Sequence, residues 1–126
     1  MLKKEETPMV TRHRKARIMH GAVEHNGLLF IGGHAAHDLD QDMAGQTREI
    51  CDKFDALLTE CGSDKSQILQ ARIYITDMSK KEDMNKAWLD WIADKDLPAR
   101  ATIGVADLGD PRRLIEITAI AAIPGE

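Results

Sequence analysis

The chain has 126 residues, of which 43% are hydrophobic but only 4% aromatic, and its formal net charge is −4. That length supports a single domain over residues 1–126, with a core that must be built mainly from Ile, Leu, Val, Ala and Met. The mild acidity argues against a nucleic-acid partner, no apolar run approaches the roughly 20 residues of a membrane span, and the first residues lack a secretory apolar stretch, so the cytoplasm is the expected location.

Residues 1–8 are charged, closed by Pro8, and expected to be flexible. Arg12, His13, Arg14, Lys15 and Arg17 then form a basic run, which reads as a solvated edge strand more readily than as an anion site. A strand is expected over 18–24, followed by a turn at His25-Asn26-Gly27, because Asn-Gly accepts positive φ. Leu28 to Ile31 forms the second arm of that hairpin and runs into Gly32-Gly33. Two glycines at a strand end mark either a bulge or the close approach of a ligand.

Met43, Thr47, Ile50, Phe54, Leu57, Leu58 and Cys61 recur at steps of three and four, which predicts an amphipathic helix ending at Gly62. Cys51 and Cys61 fall on that helix about 15 Å apart, too far for a disulfide, and read as ordinary reduced residues. A strand over 68–78 turns Ala71, Ile73 and Ile75 one way and Arg72, Tyr74 and Thr76 the other. Ser79-Lys80-Lys81-Glu82 has capping-box spacing and opens a second helix with the stripe Met84, Ala87, Trp88, Trp91 and Ile92. The spacing assigns both tryptophans to the core.

Two β-rich runs close the chain, Leu97 to Val105 and Leu114 to Ile123, joined by a turn at Gly109-Asp110-Pro111. They are predicted to pair as a hairpin. Ala101, Ile103 and Val105 would then face the core with Ile115, Ile117, Ala119, Ala121 and Ile123, while Arg100 and Glu116 share the opposite face. An Arg–Glu pair there reads as a surface salt bridge or as a carboxylate clamp beside a water-orienting base. The order of elements predicts an α+β fold with both helices on one face of the sheet. The other face is mixed, too polar for a dry core and too apolar for bare solvent, so a ligand or other copies of the chain should cover it.

Pro98-Ala99-Arg100-Ala101-Thr102, followed by Ile115-Glu116-Ile117-Thr118-Ala119-Ile120-Ala121, resembles the C-terminal signature of the RidA/YjgF family of small reactive-intermediate deaminases and their relatives. The resemblance runs from about Gly21 onward. It implies a chorismate-mutase-like fold and a homotrimer whose sheets face inward, with sites for a small carboxylate metabolite at the subunit interfaces. It also implies that Arg100 binds the substrate carboxylate, that Glu116 positions a water, and that the backbone at Gly33 lines the pocket. Three positions depart from the family pattern: Thr102 stands where cysteine is common, Met19 where deaminases carry tyrosine, and Gly32 where serine is common.

The activity expected on this basis is hydrolysis of 2-imino acids or their enamine tautomers to 2-keto acids and ammonia, with no cofactor and no metal. Gly33 and Thr102 would hydrogen-bond the nitrogen or the developing charge, and Met19 and Gly32 would complete the substrate-binding wall. The alternative is a non-catalytic trimer that binds a small carboxylate and regulates a partner. Dinucleotide, P-loop and nucleophile-elbow motifs are all missing, and the histidine pairs His20/His25 and His34/His37 lack a third metal ligand.

Overall fold

The computed structural model describes residues 9–125, so the flexibility expected of residues 1–8 lies outside the described residues. In chain order the elements are β1 (Thr11–Lys15), β2 (His20–His25), β3 (Leu28–His34), α1 (Met43–Glu60), β4 (Ile68–Ile75), α2 (Lys81–Trp91), β5 (Ala99–Gly104) and β6 (Ile115–Ala122). The six strands form one mixed sheet in the order β1-β2-β3-β6-β4-β5. The basic run does form an edge strand, antiparallel to β2. Asn26 at φ +55° and Gly27 at φ +80° make the tight turn into β3.

Both helices lie on one face of the sheet. Ile50, Phe54, Leu57 and Leu58 of α1 and Met84 and Trp88 of α2 pack with Ala71, Ile73, Ile75, Ile115, Ile117, Ala119 and Ala121 of β4 and β6 in one core. Every second residue of β6 is buried, as the sequence alternation requires. Trp88 is enclosed, and Trp91 packs edge-on against it with ring centroids 5.4 Å apart. α1 ends where Gly62 takes φ +81°. There the Gly62 N–H reaches the Thr59 carbonyl and the Ser63 N–H reaches the Leu58 carbonyl, which satisfies the last turn.

The strand expected over 68–78 stops at Ile75, because Asp77 turns the chain into the next element, and two larger expectations fail. The Ser79 capping box does not form: Asp77 accepts from the Ser79 N–H and caps a short 3-10 turn over Met78–Lys80, and α2 begins after it with no side-chain cap. The hairpin at the end of the chain does not form either. β4 lies between the last two strands, parallel to β5 and antiparallel to β6. The β4–α2–β5 segment is a βαβ crossover, which sets β5 parallel and on the outer edge. A Gly-Pro turn fixes only where the chain reverses, not which neighbour the next strand meets.

Parallel register reassigns the faces of β5. Ala71, Ile73 and Ile75 stand beside Arg100, Thr102 and Gly104, so Arg100 and Thr102 lie on the helix-bearing face. Ala101 and Ile103 stand beside Arg72 and Tyr74 on the open face and are not core residues, and Val105, just past the end of β5, is not buried in the core either. Glu116 pairs with Tyr74 and is on the open face. Arg100 and Glu116 are therefore on opposite faces of one sheet, two strands apart.

Candidate functional site

The Gly32-Gly33 pair is a bulge. Ile31 pairs with Ala119 and His34 with Ile117, which leaves both glycines facing Thr118 alone. The extra residue returns His34 to the helix side, where its ring meets Phe54 edge-on at 5.6 Å. The Gly32 carbonyl accepts from His34 Nδ1–H at 2.7 Å, which fixes the ring. Burial holds the His34 pKa below its usual value; Lys53 and Arg14 also lower it, while the Gly32 hydrogen bond and Glu116 oppose them.

The bulge glycines are bare because side chains occupy the space. The Glu116 side chain lies on Gly33: a Cβ there would sit 2.9 Å from Glu116 Cδ and 3.3 Å from Cγ. Met19 does the same to Gly32, whose Cβ would come within 2.7 Å of Met19 Cε. Two departures from the family pattern are thus one feature, a thioether resting on a glycine. Glu116 joins none of the ion pairs among the described residues. Beside it, Arg14, Met19, Gly33, His34, Lys53 and Arg113 line a cleft of about 330 Å³.

Arg100 lies at a second cleft, of about 300 Å³, with Glu82, Asn85, Trp88, Leu97 and Pro98. Its Nη2 donates to Asn85 Oδ1 at 2.6 Å, and no carboxylate pairs with it among the described residues. Burial pulls its pKa below the usual guanidinium value, with Glu82 opposing. Thr102 follows on the same face, half-buried. The surface salt bridge between Arg100 and Glu116 does not exist. The sequence reading missed Asn85; its signal was a poor helix former in mid-helix.

Within the chain, then, Met19, Gly32, Gly33 and Glu116 come together, while Arg100 and Thr102 lie elsewhere. Asp107 and Asp110 are the turn residues expected, accepting from the Gly109 and Arg112 N–H groups. Gln46, fully buried, ties this turn to α1 by accepting from the Leu114 N–H and donating to the Arg112 carbonyl. His20, His25, His34 and His37 join no group of three metal-ligating atoms among the described residues. No helix among them is long and apolar enough to cross a membrane.

A six-stranded mixed sheet carrying two helices on one face, with a glycine bulge under a carboxylate, defines a small α+β protein of the chorismate-mutase-like architecture. Residues 13–123 match the family described as Endoribonuclease L-PSP, and the chain belongs to that family, which includes the RutC and YjgF proteins. It is 33% identical over 115 residues to a RutC family protein of Haemophilus ducreyi, covering 91% of this chain and 97% of the relative. A RutC family protein of Haemophilus influenzae is 38% identical over 98 residues, covering 77% and 84%. The crystal structure of a YjgF family member from Neisseria meningitidis superimposes with a TM-score of 0.89 at 32% identity, covering 94% of this chain and 98% of that one.

Proposed function

We propose that this protein hydrolyses 2-imino acids, or their enamine tautomers, to 2-keto acids and ammonia at a site completed by a second copy of the chain. The observation that carries the reading is Arg100: an exposed guanidinium at the mouth of a cleft, with no carboxylate partner among the described residues, held in place by a neutral amide. Such a group supplies both prongs of its fork to an incoming carboxylate. Glu116, also without an ion pair among the described residues, is the complementary group. It orients a water toward C2 of the imine, the carbinolamine forms, and its collapse releases ammonia and leaves the ketone. Backbone groups at Gly33 and Thr102 stabilise the charge that develops on nitrogen.

One protomer cannot place Arg100 and Glu116 on one small ligand, because the sheet separates them. A homotrimer solves this by setting the exposed β5 edge of one subunit against the Gly33 side of the next. The open face suits burial: Phe30, 44% exposed, lines a shallow groove with Gln70, Arg72, Thr118 and Ile120. Met19 in the wall favours imino acids with apolar side chains. A net charge of −4 gathers no polyanion, so the ribonuclease in the family's description is not the reading adopted.

The test is Arg100→Lys. Losing a charge-assisted fork should weaken 2-keto acid affinity by about 30- to 150-fold, or about 2–3 kcal/mol. The thermal midpoint should barely move, because Arg100 makes only one exposed side-chain contact. Glu116→Gln should keep affinity and lose turnover, with imines supplied by a pyridoxal-phosphate dehydratase. Unchanged keto-acid affinity in Arg100→Lys refutes the proposal. Binding without turnover in the parent turns it into a regulatory binding protein. Sedimentation should show a trimer, and a clean monomer removes the site.

A further inference from the structure

At one side of the cleft beside Glu116, where Arg14 lines its wall, the end of α1 meets the outer hairpin at a cluster of unlike donors. His13 of β1 and Glu60 and Cys61 at the end of α1 hold an imidazole nitrogen, a carboxylate oxygen and a thiol sulfur within 4.8 Å of one another. We propose that these three side chains bind a zinc ion, with water as the fourth ligand, and so clamp β1 to α1. Donors around a tetrahedral zinc lie about 3.3–3.8 Å apart, given bonds of about 2.0–2.3 Å. Closing the cluster therefore takes a contraction of at most about 1–1.5 Å.

Each donor is already oriented. Glu24 of β2 bonds His13 Nε2 at 2.6 Å. Beside an ionised carboxylate that nitrogen carries the proton, which leaves the imidazole lone pair on Nδ1 and forms the carboxylate–histidine pair that accompanies metal-bound histidines. Arg14 forks Glu60, Nε to Oε2 at 3.1 Å and Nη2 to Oε1 at 3.3 Å, which fixes the carboxylate while each oxygen keeps a lone pair. Arg14 does so at φ +56°, a conformation side chains avoid and surroundings must impose. Cys61 is the last residue before the left-handed Gly62, and is buried at 7% exposure.

Charge points to the same class of ligand. Burial, with Glu60 and Glu24 beside it, holds the Cys61 pKa above its usual value, so the metal-free site carries the thiol; once metal binds, two carboxylates and a thiolate set against the one guanidinium of Arg14 leave two negative charges for a divalent cation to neutralise. A mixed nitrogen, sulfur and oxygen set suits zinc and does not suit magnesium or calcium. Binding breaks the S–H bond, forms the sulfur–zinc bond and releases one proton to solvent, with no change of oxidation state. Sequence spacing hides the site, because His13 lies in the first strand and Cys61 after the first helix.

Cobalt(II) is the spectroscopic probe. One equivalent added to the reduced full-length protein should give a thiolate-to-metal charge-transfer band that zinc abolishes. Cys61→Ser should lose the band and Cys51→Ser should keep it. Zinc affinity, measured against a chromogenic chelator, should fall at least 100-fold in His13→Ala and Cys61→Ser. It should fall about 10- to 100-fold in Glu24→Gln, which removes only the group behind the ligand. Circular dichroism of metal-free Cys61→Ser should match the parent, and His13→Ala gives an independent reading if it does not. No charge-transfer band in the parent, a band that survives in Cys61→Ser, or unchanged zinc affinity in His13→Ala overturns the assignment.

Discussion

Gly33→Ala isolates the placement of Glu116 from everything else in the site. Gly33 is not among the glycines with positive φ, so its backbone accepts alanine. The new Cβ would lie 2.9 Å from Glu116 Cδ. Carbon atoms rest about 3.5–4.0 Å apart, so the carboxyl group must retreat by about 0.6–1.1 Å. Displacing a catalytic group by about 1 Å costs about 100-fold in rate, or about 2.7 kcal/mol of barrier. Stability should respond far less. The group that yields is the flexible end of a side chain, at about 0.5–1.5 kcal/mol for an off-rotamer shift, and the lower chain entropy of alanine offsets part of this. The expected result is a kcat about 100-fold lower in the coupled imine assay, keto-acid affinity near that of the parent, and a thermal midpoint within about 5 °C. A parent-like kcat would show that Glu116 does not position the water. A collapse in stability would show that the contact cannot yield, and the argument from its flexibility would fail.

Two further outcomes test the frame. Gly62→Ala should destabilise by about 1–2 kcal/mol through the left-handed backbone alone, because the new Cβ meets Ile123 Cγ2 at an ordinary 3.8 Å; urea unfolding reads this, and no loss would mean the Gly62 turn is not under that constraint. His34 has a folded pKa below the usual 6.5, so the folded state prefers its neutral form. The stability tied to it is complete above about pH 6.5 and is lost as pH falls from there toward the folded pKa. Urea midpoints from pH 8 to 5.5 should decline in the parent and be flatter in His34→Gln; matching slopes would refute the assignment.

Sequence by itself determined the main elements and the core contributed by α1, α2, β4 and β6, but not the face of β5. Steps of three and four from Met43 to Cys61, and alternation from Ile115 to Ile123, state which faces are buried, because helix and strand periods are local properties of the backbone. Asn26-Gly27 and Gly62 are legible for the same reason, since positive φ is a demand on one residue. Gly33, Met19, Gly32 and Glu116 were legible as candidates by resemblance, and the bulge by its paired glycines. Only the tertiary structure decided that β4 separates β5 from β6, and with that which face Arg100 occupies. Strand partnership is non-local, and a change of neighbour from hairpin to crossover reverses every side chain on the strand. Juxtapositions such as Asn85 with Arg100, Glu116 on Gly33, and His13 near Cys61 join residues whose separation in the chain carries no period, so no pattern in the sequence announces them.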